Sequence, residues 1–350
     1  MPRGKAGRAG VVQLRVVSRD VAIDFGTAST RVIVKGRGLI FDEPSVIAVD
    51  TRSREVLALG AEAVDLVGRT ADHVVTVRPL SQGAITDFDM AERMLRAILH
   101  RCGMSRMSRP RVLLTVPSAA TSIERRALKQ AAEHAGAAKA VLLESPLAAA
   151  IGLDLPIHEP IGSVIVDLGA GTSETAMISL GGVVALKALR IGGSDLDRAI
   201  TDDVRMQRDL VISDLVSEEL KIRIGSVNSE AVSSAAEVHG RRVSTGTPAS
   251  EVVTTEMIQR ATTDLVDAMV AGVAMCLAEA PPELAQDAIF EGIHLVGGTA
   301  NLDGLVARLE IGTSVPVHVA NNSVASVVEG TARCLNELDQ LASFFESASR

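Results

Sequence analysis

The chain contains no tryptophan and no tyrosine, and only six of its 350 residues are phenylalanine. Proteins that bind single-stranded nucleic acid stack the bases on aromatic side chains. The formal net charge of −8 gives no general attraction for a phosphate backbone either. We therefore expect no nucleic-acid partner, and we expect cores built mainly from aliphatic residues, within an apolar fraction of 47%.

Cysteines and long apolar runs are also scarce. Cys102, Cys276 and Cys334 are odd in number and lack the short spacing of metal ligands, which is typical of a reduced, cytosolic protein. No apolar run approaches the ~18–20 residues needed to cross a bilayer, and the N-terminus lacks the apolar segment of a signal peptide. These absences predict a cytoplasmic protein without a membrane-spanning segment.

The most informative feature is a turn that occurs twice. Residues 21–34 have the sequence VAIDFGTASTRVIV, and residues 164–177 have VIVDLGAGTSETAM. In both, a strand-like run ends at an aspartate, Asp24 or Asp167, and a turn of small residues leads into a second strand. Small residues let backbone amides approach an anion closely, and the aspartate is suited to holding Mg²⁺. Two facing turns predict a polyphosphate site.

Strands that lead into helices recur along the chain, which predicts an α/β protein. A capping-box pattern at Thr121 predicts a helix that ends at Gly136. The pattern predicts further elements, among them a short helix around 61–67, strands over 111–116 and 140–143, a long helix over about 255–279, a strand over 292–296 followed by a third glycine-rich turn that opens a helix after Asn301, and a final helix near 324–338.

Six segments together resemble the bacterial actin family of MreB and Mbl, over about residues 21–338. They are Asp24–Thr30, Asp42–Val46, Val116–Ser118, Pro146–Gly152, Val166–Glu174 and Leu295–Gly298. The resemblance implies a duplicated actin-like (ribonuclease H-like) fold with four subdomains around a nucleotide cleft. The implied halves are 20–155 and 156–340, with small subdomains inserted at about 43–80 and 190–253, a basic extension over 1–19 and a polar tail over 341–350.

The resemblance also implies a function. Proteins of this family bind ATP and Mg²⁺ and polymerise into filaments on the inner face of the membrane that organise cell-wall (peptidoglycan) synthesis and cell shape. The expected partners are therefore other copies of the chain, the cell-wall synthesis machinery and, weakly, an anionic membrane surface.

Residues can be assigned to the implied nucleotide site by position. Asp24 and Asp167 would hold the metal, and Glu144, Ser145 and Asp167 lie at the catalytic positions. Glu218 and Lys221 would reach the ribose and base, although a surface ion pair on a helix is the alternative. The remaining cofactor-binding positions are Gly26, Thr27, Ala28 and Ser29 in the first turn, Gly169, Ala170, Gly171 and Thr172 in the second, and Gly193, Gly297, Gly298 and Thr299 near the nucleoside.

Three residues depart from the family pattern. Ala170 stands where the family has a glycine, and an alanine is tolerated there only if its φ is negative. Thr299 replaces a glycine beside the adenosine and should narrow the nucleoside pocket. Ser145 replaces the second of two glutamates, the one expected to orient the attacking water. Side chains alternate along a strand, so Glu144 should face away from the cleft if Ser145 faces in. These departures predict slow hydrolysis and favour a specialised paralogue.

The expected membrane contact is weak and electrostatic. Residues 1–19 carry five basic side chains and no acidic one, which indicates either a solvated extension or a tether to anionic lipid. The family's apolar insertion loop corresponds to residues 104–109, which we expect to form an exposed, basic loop with two methionines. In it, Met107 is flanked by Arg106 and Arg109. Burying one methionine contributes only ~1.5–3 kcal/mol.

Two other classes of protein use the same phosphate turns. An Hsp70-type chaperone would need room for a peptide-binding domain, and the chain ends soon after the last expected helix. A sugar or acetate kinase would need a general-base aspartate outside the turns, and none stands out. The filament-forming protein is therefore the leading hypothesis.

Overall fold

The structure is a computed structural model that describes residues 20–104, 108–228 and 230–336. Its strands are β1 (Val21–Phe25), β2 (Ser29–Val34), β3 (Gly38–Pro44), β4 (Ile47–Asp50), β5 (Val56–Leu59), β6 (Val74–Val77), β7 (Leu80–Ser81), β8 (Ala84–Ile85), β9 (Arg111–Val116), β10 (Lys139–Glu144), β11 (Ser163–Leu168), β12 (Ser173–Ser179), β13 (Gly182–Leu189), β14 (Leu210–Val211), β15 (Ala235–Arg242), β16 (Pro248–Thr254), β17 (Ile293–Val296) and β18 (Val317–Val319). Its α-helices are α1 (Ala61–Val64), α2 (Phe88–Arg101), α3 (Ser122–Ala135), α4 (Ser145–Gly152), α5 (Gly193–Arg208), α6 (Asp214–Ile224), α7 (Thr255–Glu279), α8 (Pro282–Glu291), α9 (Leu305–Thr313) and α10 (Ser326–Arg333).

Two five-stranded sheets have the same topology. The first has the order β10-β9-β1-β2-β3 and the second β18-β17-β11-β12-β13. In each, three consecutive strands form an antiparallel meander, and the first of them pairs in parallel with a strand from later in the chain. The repeated turns are the β1–β2 and β11–β12 connections, so the sequence repeat marks a repeat of the whole sheet.

The two sheets are joined by a pair of closely packed helices. Helices α4 and α10 share one core with both sheets. Ala148 of α4 and Val327 of α10 belong to it, together with Leu113 of the first sheet and Ile165 of the second. A Cβ atom at Gly330 would lie 1.8 Å from the carbonyl oxygen of Ala148. Because no side chain fits at that distance, the glycine allows the two helix backbones to touch.

Two three-stranded sheets lie beside the main ones. One has the order β5-β4-β6 and packs with α1, and the other has the order β14-β15-β16 and packs with α5 and α6. They fall within, or within one residue of, the segments 43–80 and 190–253 that the sequence assigns to inserted subdomains. The division of the chain into domains itself stays a prediction.

Most predicted elements have the expected position, and the differences lie at element ends. The capping box at Thr121 is formed, and α7 has the predicted bounds. The helix expected over 61–67 is only the four-residue α1. The third glycine-rich turn is a 3₁₀ turn, Gly298–Asn301, before α9, and α10 is followed by another, Cys334–Asn336. Residues 1–19, 337–338 of the expected last helix, and the tail lie outside the described residues.

One sequence expectation about the membrane was too strong. Among the described residues, α7 is long and apolar enough to cross a bilayer. One of its faces is nonetheless buried, with Val266, Met269, Val273 and Cys276 in the core of the second half, and it packs against β12, β13, α5 and α9. The helix therefore packs along one face into the core of the protein.

The expected insertion loop also needs a correction. Met104 was expected to be exposed with the rest of residues 104–109, but it is 5% exposed and belongs to the core of the first half. Arg106 and Met107 lie outside the described residues. Met104 is therefore a core residue and is not available for contact with lipid.

Candidate functional site

The two repeated turns have the same hydrogen bond. The amide of Gly26 donates to the carbonyl of Ser29 at 3.1 Å, and the amide of Gly169 donates to the carbonyl of Thr172 at 2.9 Å. The first turn is also supported by Ser45, whose hydroxyl donates to the Gly26 carbonyl at 2.6 Å. Both strand pairs thus end in the same tight turn, with an aspartate at its start.

The turns line one cavity from opposite sides. It has a volume of about 150 Å³ and adjoins a second cavity of about 340 Å³, with Thr27, Ala28, Ala170 and Gly298 lining both. Predicted site residues in the first cavity are Asp24, Gly26, Thr27, Ala28, Ser29, Ser145, Asp167, Gly169, Ala170, Gly171, Thr172, Gly297 and Gly298. Those in the second are Thr27, Ala28, Ala170, Gly193, Glu218, Lys221, Gly298 and Thr299.

Close contacts across the cleft explain the glycine at position 171. A Cβ atom there would lie 2.3 Å from Thr27 Oγ1 and 2.8 Å from the amide nitrogen of Gly83. Thr27 Oγ1 also accepts a hydrogen bond of 3.0 Å from that amide. Any side chain at Gly171 would push the two turns apart.

The two glycines expected under the adenosine differ from each other. Gly297 has φ +91°, and a Cβ atom would lie 2.3 Å from the Leu168 carbonyl. At Gly298 a Cβ atom would meet nothing within 4 Å. A side chain at Gly297 would therefore clash with the protein backbone, whereas one at Gly298 would meet no protein atom. Their expected place beside the adenosine stays a prediction.

The substitutions at Ala170 and Thr299 are accommodated. Ala170 is not among the residues with positive φ, so its methyl group causes no backbone strain. The Thr299 hydroxyl donates to the Gly169 carbonyl at 3.0 Å, and Thr299 is 6% exposed. This threonine therefore ties the third glycine-rich turn to the second phosphate turn.

Asp24 and Asp167 form a weakly compensated pair of acids. Burial, and then the nearby Asp24, raise the pKa of Asp167 to about 7. Burial also raises the pKa of Asp24, against a hydrogen bond of 2.7 Å from Thr115 Oγ1 to its Oδ1 and the charge of Arg31. Neighbouring half-buried carboxylates, of which only Asp24 has a positive charge near it, make a site that favours a cation.

The structure separates Glu144 from Ser145. Ser145 lines the first cavity, and its hydroxyl donates to the Val116 carbonyl at 3.3 Å. Glu144 does not line either cavity and pairs with Arg125 at 2.8 Å. Ser145 is thus beside the phosphate turns, while the carboxylate before it is held elsewhere. The catalytic roles of the two residues stay predictions.

The second cavity contains an ion pair between two helices, and not the Glu218–Lys221 pair on one helix that the sequence offered as an alternative. Lys221 Nζ lies 2.7 Å from Asp197 Oδ1 and donates to the Gly193 carbonyl at 2.9 Å. Glu218 lines the same cavity. Burial raises the pKa of Asp197 to about 6, and Lys221 lowers it in part. Lys221 therefore pairs with Asp197 between α6 and α5, whereas the alternative considered in the sequence was an ion pair on the surface of one helix. The expected roles of Glu218 and Lys221 towards the ribose and base stay predictions.

Glu174 is a buried acid that the sequence did not single out. It lies on β12, is 1% exposed, and accepts a hydrogen bond of 2.7 Å from the amide of Ser118, which follows β9. The contact joins the two halves of the fold. Burial, and then the charge of Asp167, raise the pKa of Glu174 to about 8.

This raised pKa predicts that Glu174→Gln stabilises the metal-free protein in alkaline solution. A carboxyl that binds its proton more tightly when folded contributes stability that is complete below the ordinary pKa of 4.5 and is lost as the pH rises towards about 8. The free energy of unfolding of the variant, relative to that of wild type, should therefore be on the order of 2–4 kcal/mol higher at pH 8.5 than at pH 5. Urea unfolding of both proteins at the two pH values measures this difference in the free energy of unfolding. The same difference at both pH values would contradict the raised pKa of Glu174.

Similarity to known proteins decides the family. The model of the MreB/Mbl protein family matches residues 18–343. The chain belongs to the MreB/Mbl family. It is 37% identical to the cell shape-determining protein Mbl of Bacillus cereus, over 93% of this chain and 98% of that protein. It is 38% identical to the cell shape-determining protein MreB of Escherichia coli, over 92% of this chain and 94% of that protein.

Solved structures confirm the actin-like fold expected from the sequence. MreB 5 of Spiroplasma citri bound to AMPPNP matches with a TM-score of 0.85 at 30% identity, covering 93% of this chain and 98% of that one. The same protein bound to ADP matches with the same TM-score. A MamK double helical filament, at 20% identity and a TM-score of 0.77, shares the fold. Membership of the MreB/Mbl family, a cytoplasmic cytoskeletal family, favours the cytoskeletal hypothesis over a chaperone or a sugar kinase.

Proposed function

We propose that this chain is an actin-like cytoskeletal protein that binds ATP with Mg²⁺ between its two phosphate turns and polymerises in response. The observation that carries the proposal is the pair of equivalent turns lining one cavity from opposite sides. Successive amides in such turns form a concave donor site for phosphate oxygens. The binding of AMPPNP and of ADP by MreB 5 of Spiroplasma citri supports a nucleotide as the ligand.

The adjoining cavity suits the nucleoside. It is continuous with the phosphate cavity through four shared lining residues, and Glu218, Lys221, Gly193 and Thr299 line it. Glu218 supplies an acceptor for ribose hydroxyls. Calorimetric titration with ATP and with adenosine tests the assignment, since both should bind, and adenosine more weakly. No heat and no thermal stabilisation with ATP would contradict the proposal.

Asp24 and Asp167 are the residues that would hold Mg²⁺. Within residues 20–104, 108–228 and 230–336, no group of three or more His, Cys, Asp or Glu residues forms a metal site. Two carboxylates suffice for Mg²⁺, which keeps several waters and takes its other ligands from substrate phosphates. The ion would neutralise phosphate charge there, and the pKa of Asp167, which burial and the nearby Asp24 raise, fits a carboxylate that a bound cation would stabilise.

We infer that the filaments organise cell-wall synthesis and cell shape at the inner face of the membrane. Support comes from family membership and from the name of the relatives as cell shape-determining proteins. The first partner of the chain is then other copies of itself, with which it polymerises. The second is the cell-wall synthesis machinery. The serine at position 145 supports a specialised paralogue in which ATP turns over slowly.

Membrane attachment should be electrostatic. Each basic residue near an anionic surface contributes about 1 kcal/mol, and residues 1–19 carry five of them. Co-sedimentation with anionic liposomes should therefore fall steeply between low and physiological salt, because salt screens exposed charges. A variant with these five residues changed to glutamine should bind weakly at both salt concentrations. Equal binding to neutral liposomes at either salt concentration would mean that apolar insertion holds the protein instead.

A further inference from the structure

The phosphate cavity has a positively charged lining residue that the phosphate turns do not account for. Arg31 lies on β2, and its side chain is 11% exposed. Among the described residues that line this cavity, the charged ones are Asp24, Asp167 and Arg31. Its guanidinium therefore places a positive charge in this cavity.

The duplication shows that this cation belongs to one side of the cleft. Arg31 is the strand partner of Asp24, and Glu174 is the strand partner of Asp167. These are equivalent positions with opposite charge. Glu174 is turned towards the Ser118 amide and does not line the cavity, whereas Arg31 does. The first turn alone therefore offers a side-chain cation to the cavity.

The contacts of Arg31 hold it in place and leave hydrogen-bond donors unused. Its Nε lies 3.0 Å from Asp42 Oδ1 on β3, and its Nη1 lies 4.0 Å from Asp24 Oδ2, which is too far for a hydrogen bond. Among the described residues, no hydrogen bond is formed by its terminal nitrogens. Arginine has five N–H donors in a fixed fork, and donors in a confined site are favourable only when acceptors meet them.

We propose that Arg31 binds the terminal phosphates of the nucleotide, as a second cation beside the metal held by Asp24 and Asp167. The proposal rests on the proposed nucleotide site. Phosphate oxygens match the guanidinium fork and form charge-assisted hydrogen bonds with it. Asp42 orients the fork from behind. Arg31 then makes the site selective for the number of phosphates, because a nucleoside without phosphates gains nothing from it.

Calorimetric titration of ATP and of adenosine in the presence of Mg²⁺ tests this role. Arg31→Gln should bind ATP about 10- to 100-fold more weakly, the range expected for a charged hydrogen bond, and should bind adenosine as wild type does. Arg31→Lys keeps the charge and loses the fork, so it should be intermediate. The matched control is Arg242→Gln, which removes a half-buried arginine paired with Glu251 at 2.7 Å outside both cavities, and it should not change either affinity.

The outcomes separate this role from the nucleotide site itself. Equal ATP affinity in wild type and Arg31→Gln would overturn the role of Arg31 and leave the site intact. A parallel loss for ATP and adenosine would also overturn it, since that is what a merely structural residue produces. A wild type that binds no ATP would overturn both proposals. If Arg31→Gln does not fold by circular dichroism, Arg31→Lys decides: weaker ATP binding with unchanged adenosine binding supports the role, and unchanged ATP binding overturns it.

Discussion

Ser145→Glu should hydrolyse bound ATP about 10²-fold faster than wild type. Hydrolysis requires a water placed in line with the γ-phosphate, and positioning with charge stabilisation supplies most of the catalysis of phosphoryl transfer. Ser145 lines the phosphate cavity, but its hydroxyl is short, donates to the Val116 carbonyl and carries no negative charge. A glutamate there adds an arm that can reach a water and accept its proton. One such group typically changes a rate by ~10²–10⁴-fold.

Single-turnover phosphate release measures this effect without a contribution from product release. Glu144→Ala is the control, because Glu144 is held by Arg125 at 2.8 Å and does not line the cavity; its rate should match wild type within about 3-fold, well below the effect of a positioned base. ATP affinity must be measured in parallel, since Ser145→Glu adds a negative charge near Asp24 and Asp167. A wild type as fast as Ser145→Glu, or a collapse of the rate in Glu144→Ala, would show that another residue orients the water.

Asp167→Asn should weaken ATP binding about 10- to 100-fold in the presence of Mg²⁺, at least the loss seen when residues that support a metal's ligands are altered. The amide keeps the size of the side chain and removes the charge that the metal requires. In EDTA the variant and wild type should bind ATP about equally. The matched control is Asp203→Asn, since Asp203 is a buried aspartate that pairs with Arg260 at 2.9 Å outside both cavities.

The pKa of Asp167 gives this experiment a second readout. Because its pKa is raised to about 7, part of the metal-free protein carries a proton on Asp167 near neutral pH. Binding of ATP with Mg²⁺ should therefore release protons, which titration in buffers of different ionisation enthalpy detects. Asp167→Asn should lose that release. The same Mg²⁺-dependent affinity and proton release in the variant would contradict the assignment of Asp167 to the metal.

The sequence was sufficient for the parts of the fold that are local or repeated. The two phosphate turns have matching sequence patterns, and each is closed by a backbone hydrogen bond between residues three positions apart. Helix α3 begins at a capping box and α7 ends before two prolines. In these cases the residues that determine the structure are neighbours in the chain, so their spacing carries the information.

The contacts across the cleft could not be predicted in the same way. Glu174 meets Ser118 from 56 positions away, and nothing in the β12 pattern indicates that partner. An ion pair on one helix was the alternative considered for Glu218 and Lys221, but α6 packs against α5, where Lys221 pairs with the buried Asp197. Arg31 looked like an ordinary strand residue. A signal for it was present, however, since it occupies the position in the first copy that Glu174 occupies in the second.

Sedimentation of the full chain with ATP and Mg²⁺ tests the central claim most directly, because it requires nucleotide binding and self-association together. Wild type should enter the pellet with ATP and Mg²⁺ and remain in the supernatant when Mg²⁺ is chelated, and electron microscopy of the pellet should show filaments. Asp167→Asn should stay in the supernatant under both conditions. A wild type that stays in the supernatant although it binds ATP, or one that pellets equally without nucleotide, would contradict a nucleotide-controlled filament.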